Sequence, residues 1–220
     1  MRTQQSGFTL VEIAIVLVII GLLLGGVLKG QELINSAKSK AVISDFRNTA
    51  TMIAAYQDRF RAIPGDDGAV VNHLASATKA TAPTGGALSD GLIGDDWDSS
   101  SPISESGLMW QHLRLANLAS GESSTPSSTD GWLPNNVEGG HIGVQSKAPV
   151  TGWNGRQFVC QSNISGRISQ QVDTTMDDGN PSTGSVRFGT MSAGTMTPAT
   201  IGVSTPTFSE SKLYVVCASF

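Results

Sequence analysis

The sequence predicts an α+β protein, with one long N-terminal helix, first apolar and then amphipathic, packed on a head built around a small antiparallel β-sheet. Three observations carry this reading. Residues 8–28 form an aliphatic run holding a single charge, Glu12. Further on, Val42, Phe46, Ala50, Ile53, Tyr56 and Phe60 recur three or four residues apart, which aligns them on one helical face. After residue 61 such periodicity gives way to short β-type segments separated by Gly, Pro and Ser/Thr clusters.

The aliphatic run is long enough to span a bilayer of about 30 Å as a helix. A secretory signal peptide has a shorter apolar core followed by a small-residue cleavage site. Here the candidate cut precedes the run, after Gly7, so the helix would stay in the mature chain. The leader, residues 1–7 (MRTQQSG), is polar with one arginine, and a cytoplasmic N-terminus is expected. Glu12 is the anomaly, since a carboxylate inside a bilayer costs roughly 2.5–3.5 kcal/mol on insertion scales and persists where it finds a partner.

The stretch GFTLVEIAIVLVIIGLLL resembles the N-terminal signature of type IV pilins and of the pseudopilins of type II secretion. Gly7 stands before the cut, aromatic Phe8 after it, and Glu12 fifth in the mature chain. The resemblance covers about the first thirty residues. It implies that a prepilin peptidase cleaves after Gly7 and methylates the new amine of Phe8. In a staggered array of parallel helices, that amine on one subunit would meet Glu12 of its neighbour, and in a low-dielectric core such a pair sets register. The implied partners are further copies of this chain or related pilins, the peptidase, an inner-membrane assembly platform, and lipid before assembly. The implied location is the bacterial inner membrane, then a surface pilus or a periplasmic pseudopilus.

Gly21/Gly25 and Gly26/Gly30 have the small-xxx-small spacing that lets membrane helices approach closely. Many type IV pilins carry a helix-melting proline near this point. This chain has Lys29 and no proline before Pro64, which leaves glycine-based softness or a continuous helix as alternatives. The helix is expected over residues 8–61, on the order of 80 Å long, with Ile63-Pro64-Gly65-Asp66-Asp67 stopping it. Residues 62–220 are then the extracytoplasmic head.

Charge supports that division. Seven Lys/Arg stand against four Asp/Glu through Arg61, and seven against fourteen beyond it, within a net charge of −4. An acidic head argues against non-specific DNA binding, which needs clustered Lys/Arg. Glycine is abundant at 25 residues and charged residues make up only 15%, as in loop-rich exported domains.

Within the head, residues 104–119 predict a short helix with Leu108, His112 or Leu113 inward and Gly121 as its stop. Residues 120–130 predict an exposed loop. Residues 156–160 and 212–217 predict strands, each ending in a cysteine. Cys160 and Cys217 read as one disulfide closing about 57 residues, worth on the order of 4 kcal/mol in an exported chain; the alternative is two unrelated buried thiols. Ile164, Ile168, Val172 and Met176 predict helical turns, and residues 176–181 a tight turn. Trp97, Trp110, Trp132 and Trp153 read as core or rim anchors.

Catalytic motifs are lacking: no G-x-S-x-G, H-E-x-x-H, Walker A or C-x-x-C occurs, and His73, His112 and His141 lie far apart. No enzyme and no cofactor is expected. Calcium is the one metal considered, with Asp66-Asp67, Asp95-Asp96-Trp97-Asp98 and Asp177-Asp178 as oxygen-rich clusters, Asp177 and Asp178 the better pair. None has EF-hand spacing, and aspartate beside Gly or Pro already serves turns. The function expected is a structural subunit of a type IV pilus or related filament, with a secretion pseudopilin as the alternative. Two rivals remain: a membrane-anchored enzyme or binding protein that never polymerises, and a DNA-uptake subunit.

Overall fold

The computed structural model describes residues 9–99, 101–124, 132–202 and 207–220. Two units separate, Met1–Ala37 and Lys38–Phe220, and helix α1 (Leu10–Phe60) contributes to both. The second unit holds the remaining elements: α2 (Val70–His73), α3 (Glu105–Leu115), β1 (Ile142–Gln145), β2 (Phe158–Ser165), α4 (Gly166–Met176), β3 (Val186–Ser192), β4 (Thr195–Pro198) and β5 (Leu213–Ser219).

The five strands form one antiparallel sheet in the order β1-β2-β5-β3-β4. Side chains alternate across a strand, and here both faces are covered. On β5, Tyr214, Val216 and Ala218 join a large core with Val144, Val159, Ile164 and Phe188. Into that core α1 sends Val42, Ile43, Phe46, Ile53 and Tyr56; α3 adds Met109, Trp110 and Leu113, and α4 adds Ile168 and Val172. The interposed residues Phe158, Cys160 and Cys217 belong to a second cluster with Trp97, Trp153 and Met196. Cys160 and Cys217 lie directly opposite each other on β2 and β5 and are joined as a disulfide. The bond sits under two tryptophans, and its effect is to hold the C-terminal strand in register.

Several local features refine the expected pattern. On the α1 stripe, Ala50 and Phe60 are only half-buried while Thr49 is buried, its hydroxyl donating to the Asp45 carbonyl at 2.8 Å. Gln161, buried on β2, donates its side-chain amide to the Val42 carbonyl at 2.9 Å and so ties strand to helix. α1 ends before the Pro64 segment. It stops at Phe60, because Arg61 adopts a left-handed conformation (φ 56°), a common way to end a helix. α3 ends at Leu115, short of the expected Ala119. Asn117 is left-handed (φ 58°), and the amides of Leu118 and Ala119 turn back to the Leu113 carbonyl. Ile164 belongs to β2, opposite Tyr214, and α4 begins only at Gly166. β3 and β4 are joined by the two-residue turn Ala193-Gly194, both at positive φ, the form that suits hairpin twist. A side chain at Gly194 would collide with the Asp96 carboxylate. Of the loop expected at 120–130, residues 125–130 lie outside the described residues. All four tryptophans are core.

Glu105 organises the loops above α3. It is fully buried, and its Oε2 accepts the Gly94 amide at 2.7 Å, while its own amide donates to Asp95 at 2.9 Å. Burial, with Asp66, Asp95 and Asp90 nearby and despite the Gly94 amide, pushes the Glu105 carboxyl up to about 7. The folded chain therefore keeps a proton that the unfolded chain loses near 4.5, and stability falls as pH rises through that window. Glu105→Gln should raise the melting temperature by several degrees at pH 8, the gain disappearing below about pH 4.5. Thermal unfolding of the detergent-solubilised protein across pH measures this; a pH-independent difference would contradict it. Replacing both cysteines by serine should cost about 4 kcal/mol on the chain-entropy model, read from urea unfolding of oxidised wild type against the variant.

Candidate functional site

The first turn of α1 is built from Thr9-Leu10-Val11-Glu12. The first amides of any helix lack carbonyl partners within it. Here the Glu12 amide donates to the Thr9 Oγ1 at 3.3 Å, and the Thr9 amide donates to the Glu12 Oε2 at 2.8 Å. The Thr9 hydroxyl also donates to the Glu12 Oε2 at 2.7 Å. This is a reciprocal capping box. Thr9 has no place among the expected site residues, although the Thr-x-x-Glu pattern ahead of an apolar run announces it. Gly7 and Phe8, the expected cleavage and methylation positions, lie outside the described residues.

From Leu10 onward the helix exposes aliphatic side chains on every side, Leu10 at 90% and Leu22 at 73% among them. It is long and apolar enough to cross a membrane. The magnitudes favour insertion despite Glu12. On insertion scales each Leu, Ile or Val contributes about −0.3 to −0.6 kcal/mol, so roughly six to ten of them offset one carboxylate, and the run holds more. The helix continues unbroken through Gly21, Gly25, Gly26 and Gly30. A Cβ added at any of these four meets nothing within 4 Å. Each glycine costs helical stability by up to about 1 kcal/mol relative to alanine, and no contact within the chain compensates. Lys29 and Glu32 pair at 2.7 Å on the exposed surface, where such a bond is worth little.

In the head, the acidic clusters have been put to different uses. Asp66 accepts the amides of Ser89 and Gly91, and so shapes the loop at 89–91. Asp67 accepts the Tyr56 hydroxyl at 2.8 Å and lies 2.6 Å from the His73 Nδ1, pinning the end of α1 to the chain that follows. Asp95 holds the first amide of α3. Asp66, Asp67 and Asp95 thus satisfy backbone and side-chain donors. Asp177 and Asp178 are joined by Asp173 of α4, which the sequence analysis does not single out. The histidines do not converge. His112 is packed in the core with Nδ1 accepting the Gly65 amide and Nε2 donating to the Thr78 carbonyl, and burial holds it below its ordinary value.

Among known families, residues 2–28 match the model described as the prokaryotic N-terminal methylation motif. The chain carries the type IV pilin and pseudopilin signature. No curated protein and no solved structure matches it. The motif spans Gly7, Phe8, Thr9 and Glu12 together with the apolar run, so the capping box described above lies inside it. A signature of this kind marks a structural pilin-type protein whose precursor is anchored by the apolar helix.

The capping box has a consequence measurable in micelles. Glu12→Ala should speed hydrogen exchange of the amides at residues 9–12, whereas Glu12→Gln, which keeps a carbonyl acceptor, should speed it less. Equal exchange in all three proteins would show that Glu12 does not cap α1.

Proposed function

We propose that this chain is a structural subunit of a type IV pilus or closely related filament, trimmed after Gly7, methylated at Phe8 and polymerised through α1. One observation carries the reading: the methylation motif falls on a helix segment whose aliphatic side chains are exposed among the described residues and which, from Leu10 to Leu28, carries one charge, Glu12, in its first turn. Lipid covers that surface before assembly, and the helices of neighbouring subunits cover it afterwards. Cleavage removes residues 1–7 and leaves a cationic amine at Phe8, three bonds of chain from the capping box. In the filament, Glu12 of one subunit exchanges its Thr9 donors for, or shares them with, the Phe8 amine of the next. In low dielectric that charge pair is directional and strong enough to fix the axial step. The four uncontacted glycines support close helix approach, since small residues let membrane helices meet at short range.

Residues 62–220 form the displayed head, with the disulfide and doubly covered sheet giving it resistance outside the cytoplasm. A secretion pseudopilin shares every one of these features and differs in where the fibre stands.

The decisive experiment expresses wild type, Glu12→Ala, Glu12→Gln and Gly7→Ala chains in the native host and images sheared surface fibres and secreted protein. Both Glu12 variants should insert and be trimmed yet yield no fibres, and the Gly7 variant should keep residues 1–7. Fibres formed normally by Glu12→Ala would end the proposal. Loss of an exported enzyme without loss of surface fibres would assign the chain to secretion. Mass analysis of the mature N-terminal peptide should show it starting at methylated Phe8.

A further inference from the structure

One flank of α1 helps to wall an open groove of about 470 Å³. Asp45, Asn48 and Met52 of the helix form one side, and Leu118, Asn135 and Ile142 of β1 form the other. Met52 and Leu118 are half-buried against the core and Ile142 is buried, so the floor is apolar. Asp45 is the exception. Its carboxylate is half-buried and has neither a hydrogen bond nor an ion pair among the described residues, and no Lys or Arg lines the groove. Arg114, near the rim, is committed elsewhere: its Nε donates to the Ser120 carbonyl at 3.2 Å, and its guanidinium stacks on Trp132 at 4.5 Å. A carboxylate taken partly out of water without a cation is a cost to the single chain.

The opposite flank of α1 carries the missing charge. At 3.6 residues per turn, Lys40 and Arg47 fall on one line along the helix, roughly 150° round from Asp45 on the solvent side. Val42, Phe46 and Ile53 are buried between the two flanks. Both cations are exposed, and neither side chain has a partner among the described residues. Asp58, an acid on the same flank, lies about three turns beyond Arg47 and pairs with Arg61 at 3.8 Å. One molecule thus presents an unpaired carboxylate in a groove and unpaired cations on the other side of the same helix, and it cannot bring them together itself. Two different surfaces that complement each other make a heterologous contact, and such contacts repeated without closure build a helical fibre.

We propose that the groove at Asp45 receives Lys40 and Arg47 of a second copy of this chain, a lateral charge contact between neighbouring subunits. The proposal rests on the filament reading above and adds to it a contact remote from Glu12. The registers agree. Pairing the Phe8 amine of one copy with Glu12 of the next offsets the two by four residues, about 6 Å along a helix. Lys40 and Arg47 of the copy that supplies the amine then stand level with positions 44 and 51 of its neighbour, and Asp45 to Met52 is the stretch that walls the groove. A long basic side chain suits the site, since its alkyl stem lies over Met52, Leu118 and Ile142 while its charged end reaches Asp45. Exposed ion pairs are worth little. Here the second copy also covers the groove, which removes screening water and supplies the charge that Asp45 lacks.

The test uses full-length chains in the native host, with sheared fibres quantified. Asp45→Asn keeps the shape of the side chain and removes its charge. It should leave the melting temperature of the detergent-solubilised single chain unchanged or higher, yet lower the fibre yield by roughly threefold or more. Asp45→Arg, and Lys40→Glu combined with Arg47→Glu, should each lower the yield by roughly tenfold or more, because like charges then meet. The triple charge swap should restore at least about half of the wild-type yield. Asp45→Cys combined with Arg47→Cys should give a ladder of linked subunits when fibres meet a short bis-maleimide, since the native cysteines are already bonded to each other; either new cysteine alone should give none. Normal fibre yield from Asp45→Arg, failure of the swap to restore fibres, or absence of the ladder would overturn the proposal, and the groove would then serve a soluble ligand or none. Fibres kept by Asp45→Arg but lost by Glu12→Ala sink this contact and leave the filament reading intact, whereas fibres kept by Glu12→Ala end both.

Discussion

An aliphatic helix that its own chain does not cover cannot remain in water, and everything else about this protein is arranged around that constraint. Burying a Leu, Ile or Val side chain is worth about 1.5–3 kcal/mol, and α1 exposes such side chains all along its first turns. Lipid satisfies them, and so do other helices of the same kind. In the proposed function the first gives an anchored precursor and the second a fibre. The motif at residues 2–28 is the pilin-type signature, and it falls on this apolar helix.

Glu12 fits this frame because one carboxylate can serve both environments. In the single chain it is a helix cap, taking the Thr9 amide and hydroxyl. That use lowers the cost of carrying it into the membrane, since a carboxylate with two donors is no longer bare. A cap is also reversible. Its donors are short-range and neutral, so a full positive charge arriving from a neighbour competes well for the same oxygens in low dielectric. In the proposed filament, the residue is held until an assembly partner presents a better one.

How much of this was legible in the sequence follows from the period and length of each pattern. The N-terminal run and the stripe from Val42 to Tyr56 are long, and many residues report the same face. The strands at Phe158 and Leu213 were readable because both faces of the sheet are covered, so β-type apolar residues run nearly unbroken through Phe-Val-Cys and Leu-Tyr-Val-Val-Cys. β1, β3 and β4 were not. Each is short or interrupted by Gly, Thr or Pro, as in Ile-Gly-Val-Gln and Thr-Met-Thr-Pro, and gains its strand conformation from the neighbour it pairs with. The end of α3 was not legible either. Asn117 turns left-handed where no glycine or proline announces it. Thr9 was legible as half of a capping box, but the attention Glu12 draws as a charge conceals it as a cap.

The acidic residues show why residue type alone does not assign a role. Asp66, Asp67, Asp95 and Asp177 look alike in sequence, each beside another acid and near Gly or Pro, and each turns out to hold backbone amides or neighbouring side chains. What separates a carboxylate that builds a loop from one left without partners is the supply of donors, and donors are placed by tertiary structure. Asp173 sits on a helix, where its neighbours' amides are already spent on the helix itself, and its side chain points to the core side of a turn whose own donors go to Asp177 and Asp178. Such a position cannot be stabilised by rearranging the loop around it, because the helix fixes it from behind. Neutralising it falls to a proton: burial first, and then the neighbouring Asp178 and Asp177, push the Asp173 carboxyl up to about 7.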